Sequence, residues 1–370
     1  MKLRKLLAGV PLTEENFDGD MEITSLSYDS RTLEPGALFV ALPGAKTDGS
    51  RFIDQAMERG AAAVLCQQPP KRPGPWLTTP DARLALALAS ANWFDHPGAE
   101  MTLIAVTGTN GKTTTTCLIK EMLEQTLRVP VGLVGTNRNL VGQQELPAHR
   151  TTPESYELQQ LLRTMADAGC AFVVMEVSSH ALMQHRVEGI TFAEGIFTNL
   201  TEDHLDYHGT MERYCGAKAK LFHASRGAVC NADDPWTERM LRGVTCPVTR
   251  YGLQNPADLW AEGITLQERG VTFAACTARE CIPVRLGVPG RFSVYNALGA
   301  MAACRQLGIP LADSAAALAA FPGVKGRMEV VATPGKPYTL LIDYAHTPDA
   351  LENVLKTVWG VGYLWNAADA

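Results

Sequence analysis

The sequence predicts an α/β protein: a small N-terminal α/β unit, a larger central unit with a mostly parallel sheet, and the beginning of a third α/β unit. Three observations carry this expectation. Short apolar, β-branched runs alternate with helix-like stretches, a glycine-bearing loop stands between one such run and the helix after it, and polar joints with Pro and Gly separate the units. At 370 residues the chain exceeds the usual size of one hydrophobic core. Its 46% apolar and 19% charged residues are those of an ordinary globular protein.

In the first unit, alternating apolar positions predict strands over Ala37–Leu42 and Ala62–Cys66, with a helix over Phe52–Arg59 between them. The Leu-Ala repeat at Leu84–Leu88 reads as helix, because Pro80-Asp81 supplies a helix start and both residue types favour helix. Asp95–Glu100 then has linker chemistry, which sets the first boundary: residues 1–98, 99–332 and 333–370 are the expected domains. Leu103–Val106, Val131–Val134, Ala171–Val177 and Gly195–Phe197 are the clearest central strands. Alternation of this kind implies a mostly parallel sheet covered by helices on both faces, with ligands at the carboxyl ends of its strands. After Thr333-Pro334-Gly335 a strand over Tyr338–Ile342 and a helix near Asp349–Thr357 open the third unit.

A net charge of −6 without long basic runs argues against nucleic acid or an anionic membrane as the main partner and favours a small molecule. The nine cysteines are scattered without a CxxC pair, which suits reduced thiols. Cys276 and Cys281 are the closest pair and are a weak candidate for a metal site. The start, Met1–Leu12, is too short and too broken by Gly9 and Pro11 for a signal peptide, and no run approaches the roughly 20 apolar residues of a membrane helix. A cytoplasmic protein is expected.

Thr107-Gly108-Thr109-Asn110-Gly111-Lys112-Thr113-Thr114 lies between an apolar strand and a helix. Glycines let backbone amides approach phosphate, the helix start favours negative charge, and a lysine reaches the terminal phosphates, so this reads as a nucleotide-phosphate loop. Val106 stands where the generic motif has its first glycine. Glu176 ends a strand and is followed by Ser178-Ser179-His180, which puts a carboxylate and two hydroxyls at the ligand edge of the sheet. Asn199 precedes Asp203-His204-Leu205-Asp206-Tyr207-His208, whose acids and imidazoles read either as a solvated loop or as part of a metal site.

Taken together with Thr151-Thr152-Pro153, Ala217-Lys218 and the order of all these segments, the sequence resembles the Mur ligases. Tyr28-Asp29-Ser30-Arg31, Gly36–Ala41 and Asp48-Gly49 are similar to the MurE branch in particular, and the resemblance runs from about Ser25 to Leu355. It implies an N-terminal domain for the uridine nucleotide, a central ATPase domain, and a C-terminal domain for the incoming amino acid.

By that resemblance Gly108, Thr109, Asn110, Gly111, Lys112, Thr113, Thr114, Asn296, Arg327 and Asp343 are expected to bind ATP. Tyr28, Ser30, Ala45, Lys46 and Thr47 are expected at the uridine end, and Thr151, Thr152, Ser178, Gln184 and Arg186 along the muramoyl-dipeptide. Lys218 is expected to carry a carbamate made from carbon dioxide and to share one Mg2+ with Glu176 and His204, while Thr113 serves the other. From periodicity alone Lys218 and Lys220 are two lysines on one helix; the resemblance selects Lys218. Lys112, Glu176, His204 and Lys218 are the expected catalytic set.

The reaction implied is phosphoryl transfer from ATP to the γ-carboxylate of UDP-MurNAc-L-Ala-D-Glu, followed by attack of an amine on the acyl phosphate. Meso-diaminopimelate is the expected amine, lysine the alternative, and a monomer is expected. A binding remnant without ligase activity and a folate-polyglutamating ligase are the competing readings; the second lacks the Tyr28–Asp48 unit. The sequence departs from the family after about Val358, where Trp359–Ala370 follows and no Asp-Asn-Pro-Arg element appears, so a truncation or a change of frame is expected.

Overall fold

The computed structural model describes residues 1–17, 19–44, 48–336 and 338–359. Of the expected departing tail, Trp359–Ala370, residues 360–370 lie outside them, as do Ala45, Lys46 and Thr47. The chain forms two compact units, one of Met1–Glu100 with Pro153–Asp167 and His180–Ile190, the other of Met101–Thr152, Ala168–Ser179 and Thr191–Ala370.

The first unit holds a five-stranded sheet in the order Glu14–Glu15, Trp76–Thr78, Ala63–Cys66, Ala37–Val40, Ser25–Ser27, parallel except for its first pair. Side chains alternate across a strand. Leu38 and Val40 therefore enter one core with Leu3, Leu6, Leu65 and Leu86, while Ala37 and Phe39 enter another with Ile53 and Val64. The helix read from the Leu-Ala repeat spans Ala82–Trp93, and Asp81 caps it by accepting from the N–H groups of Arg83 and Leu84 at 2.9 and 3.1 Å.

The second unit carries an eleven-stranded sheet. In spatial order its strands are Cys281–Leu286, Gly270–Cys276, Leu259–Gln267, Val248–Gly252, Ser225–Asn231, Phe192–Phe197, Thr102–Thr107, Phe172–Glu176, Val131–Val134, Asn139–Val141 and Gln144–Leu146. From Leu259–Gln267 to Val131–Val134 the pairs are parallel; both flanks are antiparallel. Ile104, Val106, Ile196 and Val229 pack on one face with the helices Lys112–Leu127 and Arg291–Gln306, whereas Phe197, Ala228 and Cys230 pack on the other with Met211–His223. Helices thus cover both faces, as the alternation of elements requires. No helix of the described residues is long and apolar enough to cross a membrane.

The expectation of reduced thiols throughout needs one correction, because Cys276 and Cys281 form a disulfide. They are direct partners across the antiparallel Gly270–Cys276/Cys281–Leu286 pair, with Cα atoms 4.0 Å apart, a proximity that their spacing in sequence does not reveal.

Glu194, buried on Phe192–Phe197, is pushed up to about 7 by desolvation. The Gln306 side-chain amide packs beside this carboxyl, held by its nitrogen donating to Thr249 Oγ1 at 2.6 Å. The folded carboxyl binds its proton more tightly than the unfolded one, so stability is highest below the ordinary carboxylate range and falls as pH rises toward 7. Between pH 5 and 8 the Glu194→Gln protein is expected to gain about 2 kcal/mol relative to the unsubstituted one. Denaturant titrations at the two pH values check this, and parallel losses in both proteins would refute it.

Candidate functional site

The strand Thr102–Thr107 runs out into the loop at the carboxyl edge of the sheet. Gly108 has φ +153°, and a Cβ there would lie 1.9 Å from the Thr198 hydroxyl; Gly111 has φ +86°, with a Cβ 2.4 Å from Asn296 Oδ1. Both positions need glycine for conformation and for space. The loop is tied to the end of the neighbouring strand. Thr109 N–H donates to Asn199 O and Asn110 N–H to Asn199 Oδ1, each at 2.9 Å, while Thr198 Oγ1 donates to Asn110 O at 2.6 Å. Val106 is fully buried in the strand and pairs with Glu176 and Ile196, so the turn begins after it. The helix Lys112–Leu127 starts directly behind, aiming its first N–H groups at the cavity.

Glu176 ends its own strand with 1% exposure. It accepts from Thr113 Oγ1 at 3.1 Å, Thr136 N–H at 2.8 Å and Thr136 Oγ1 at 3.0 Å. A carboxylate beside a threonine hydroxyl at the end of a phosphate loop is a hard-oxygen donor set, which fits Mg2+.

Two lysines converge on one carbonyl oxygen. Lys112 Nζ donates to Gly108 O and Thr109 O at 2.9 Å, and Lys218 Nζ donates to Gly108 O at 2.8 Å. Lys218 is 1% exposed, and burial, reinforced by the charge of Lys112, holds its amine well below the ordinary lysine value. Burial also lowers Lys112. Lys220, two positions on, is exposed. The acids and imidazoles of 203–208 separate: His204 turns to Asp203 at 3.3 Å, while His208 is buried and reaches Ser179 Oγ at 2.9 Å. Burial keeps the His204 imidazole below its ordinary value despite the pull of Asp203.

A cavity of about 530 Å³ opens beside the phosphate loop. Its lining includes Thr109–Thr114, Thr136, Thr151, Glu176, Asp203 and His204, together with Asn231, Phe292, Tyr295, Asn296, Arg327, Asp343, Tyr344 and Asp349. The Arg327 guanidinium sits 5.2 Å from the Tyr344 ring centroid, and Asp343 accepts from Met328 N–H at 2.7 Å, its carboxyl raised by burial. Asn110 Nδ2 donates to Asp349 Oδ2 at 3.1 Å.

The structure therefore brings together the expected loop residues, Thr151, Glu176, His204, Asn296, Arg327 and Asp343, with Lys218 behind Gly108. Thr152 turns inward: its hydroxyl donates to Glu176 O at 2.8 Å and accepts from Ser178 N–H at 3.1 Å, bracing the turn below the cavity. Tyr28, Ser30, Gln184 and Arg186 belong to the first unit. There Tyr28 Oη donates to Glu157 at 2.6 Å, Ser30 Oγ to Gln55 Oε1 at 2.8 Å, and Arg186 to Gln184 Oε1 at 2.7 Å and to Glu154 at 2.9 Å. Thr136, Asn231 and Asp349 were not foreseen. Thr136 had a usable signal, since it follows the strand Val131–Val134 at the edge where ligands sit.

Known proteins share this architecture. The Mur ligase middle domain family matches residues 106–304, and the Mur ligase family catalytic domain matches residues 22–85. The UDP-N-acetylmuramoyl-L-alanyl-D-glutamate--2,6-diaminopimelate ligase 1 of Clostridium acetobutylicum is 43% identical over 359 residues, which is 96% of this chain and 74% of that protein. The corresponding ligase of Geobacillus thermodenitrificans is 42% identical over 367 residues, 97% of this chain and 75% of the relative. A solved structure of such a ligase superposes with TM-score 0.78 at 32% identity, over 91% of this chain and 70% of the other. MurF of Thermotoga maritima in complex with ADP, at 20% identity and TM-score 0.62 over 90% of this chain and 74% of its own, shares the fold.

Proposed function

The chain belongs to the Mur ligase family, and from that premise we propose that it is the ATP- and Mg2+-dependent ligase that adds diaminopimelate to UDP-MurNAc-L-Ala-D-Glu in peptidoglycan precursor synthesis. The observation that carries this reading is the meeting of the phosphate loop, the Thr113–Glu176 pair and buried Lys218 around Gly108.

A γ-carboxylate oxygen of the D-glutamate attacks the terminal phosphorus of ATP, and ADP leaves. The diaminopimelate amine then attacks the acyl carbon, loses a proton, and expels phosphate, leaving an amide. Lys112 and the N–H groups of Gly111–Thr114, at the start of the helix, hold the phosphates and balance charge as it develops. Thr113 would hold one Mg2+, and Glu176, His204 and the Lys218 carbamate a second; when bound these ions would neutralise phosphate oxygens. Asn296 is assigned to adenine, Arg327 and Asp343 to phosphate and ribose. Tyr28 and Ser30 take the uridine end, and Thr151, Ser178, Gln184 and Arg186 the peptide. No protein nucleophile is needed, because holding carboxylate, ATP and amine together removes most of the entropic barrier.

The neutral Lys218 amine takes up carbon dioxide, forming an N–C bond and releasing a proton to give a carbamate. This places an anion with hard oxygens beside the Lys112 ammonium. The protein is assigned to the cytoplasm as a monomer.

Incubation with ATP, Mg2+, diaminopimelate and UDP-MurNAc-L-Ala-D-Glu should yield the tripeptide by mass spectrometry, together with ADP. Calorimetry should register binding of the UDP-linked substrate alone at millimolar concentration or below. No binding and no product from folded protein would sink the reading.

Gly135 supplies a local test. A Cβ there would lie 2.6 Å from Glu176 Oε1, and φ at Gly135 lies outside the left-handed region, so substitution displaces a carboxylate oxygen without straining the backbone. Gly135→Ala is expected to lower kcat by on the order of tenfold, with a small change in Tm. Unchanged turnover would take Glu176 out of the chemistry.

A further inference from the structure

Tyr207-His208-Gly209-Thr210 ends one short helix and begins a long one. Gly209 takes φ +77°, and Thr210 caps Met211–His223 by accepting from Arg213 N–H at 3.2 Å. This reversal folds His208 back onto the long helix, where its ring stacks on Tyr214 with centroids 4.9 Å apart and planes 26° apart. Tyr214 and Lys218 lie one turn apart on the same side of that helix. The Lys218 nitrogen rests 4.5 Å from the Tyr214 ring centroid. At the other edge of the imidazole, Nε2 shares a 2.9 Å hydrogen bond with the buried hydroxyl of Ser179, three residues after Glu176.

We propose that His208 is a positioning residue: anchored by Ser179, its ring fixes the Tyr214 ring against which the Lys218 nitrogen rests, and so aims that nitrogen at the Gly108 carbonyl. A lysine side chain has many rotamers to lose, and the neighbouring Lys112 repels its charged form. A wall of two stacked rings removes the alternative rotamers. Imidazole suits this task because it offers a flat face to Tyr214 and an edge nitrogen to Ser179. Gln keeps only the second contact and Phe only the first. The same linkage ties the turn carrying Glu176 and Ser178 to the helix carrying Lys218. Its consequence for ligation rests on the role given to Lys218 above; the positioning itself does not.

The test is reductive methylation of the purified chain with [13C]formaldehyde in bicarbonate-free buffer, read lysine by lysine by mass spectrometry. Lys120, also buried in this unit but paired with Glu124, reports general loosening. His208→Gln, His208→Phe and the milder Ser179→Ala are each expected to raise labelling of Lys218 relative to Lys120, by on the order of tenfold for the His208 variants, as a local opening does. Lys218 and Lys120 rising together, or no rise at Lys218 in any variant, overturns the proposal. Separately, unsubstituted protein in [13C]bicarbonate should show a carbamate carbon signal that Lys218→Ala removes. Its absence would overturn the carbamate reading while the labelling ratio still decides the positioning.

Discussion

Lys112→Ala is expected to lower kcat by about a thousandfold while changing the affinity for the UDP-linked substrate by less than about twofold. Lys112 opens the helix behind the phosphate loop, and its ammonium lies against the loop carbonyls of Gly108 and Thr109 at 2.9 Å, within the cavity assigned to ATP. A group placed there meets the charge that develops on the transferring phosphoryl and does nothing for the uridine end, whose assigned residues belong to the other unit. Binding and turnover should therefore separate. Truncation also leaves Gly108 O with the Lys218 nitrogen as a donor, so the loop keeps one of its two lysine contacts and the fold should survive. Calorimetry with UDP-MurNAc-L-Ala-D-Glu and a phosphate-release assay under saturating ATP measure the two quantities. Unsubstituted turnover in the variant would remove Lys112 from the mechanism, and a large loss of UDP-substrate affinity would show that the loop also shapes the peptide site.

The parallel strands were legible because a strand buried on both faces is an apolar run whatever its neighbours, as in Leu103–Val106 and Val131–Val134. The helix after Asp81 was legible from its cap and its composition. What local pattern does not carry is partnership. The segments Pro153–Asp167 and His180–Ile190 read as ordinary central-unit elements, yet they pack with the N-terminal unit, and nothing in their periodicity says which sheet a helix will cover. The Cys276–Cys281 bond depends on strand register, which spacing alone leaves open. Around the site, Gly108, Gly111 and Lys112 announce their chemistry because a phosphate loop is contiguous. Glu176 and Thr136 meet only because two strands end at the same edge, and His208 separates from His204 because a glycine reverses the chain after it. Lysine is ordinarily a surface residue, so the burial of Lys218 contradicts its composition-based expectation. The resemblance points to Lys218, and its hydrogen bond to Gly108 O, shared with Lys112, distinguishes it physically from exposed Lys220.

Lys218→Ala is expected to remove ligation in the same assay, a loss of about a thousandfold or more, whereas Lys220→Ala changes turnover by less than about twofold. Both lie on Met211–His223, but Lys218 is 1% exposed and reaches Gly108 O at 2.8 Å, while Lys220 faces solvent. Two ammonium groups on one carbonyl oxygen are an unfavourable arrangement, and desolvation together with Lys112 drives Lys218 toward its neutral amine. A neutral amine captures carbon dioxide; a protonated one has no lone pair to do so. If the carbamate is the working form, the alanine protein lacks an anion and not merely a cation, so a short carboxylate such as acetate should restore part of its turnover and added ammonium should restore none. Bicarbonate should raise turnover of the unsubstituted chain after it has been stripped of carbon dioxide, and should leave Lys218→Ala unchanged. Acetate rescue with bicarbonate insensitivity in the variant supports the anion. Full activity of Lys218→Ala would show that the buried lysine braces the Gly108 carbonyl and nothing more.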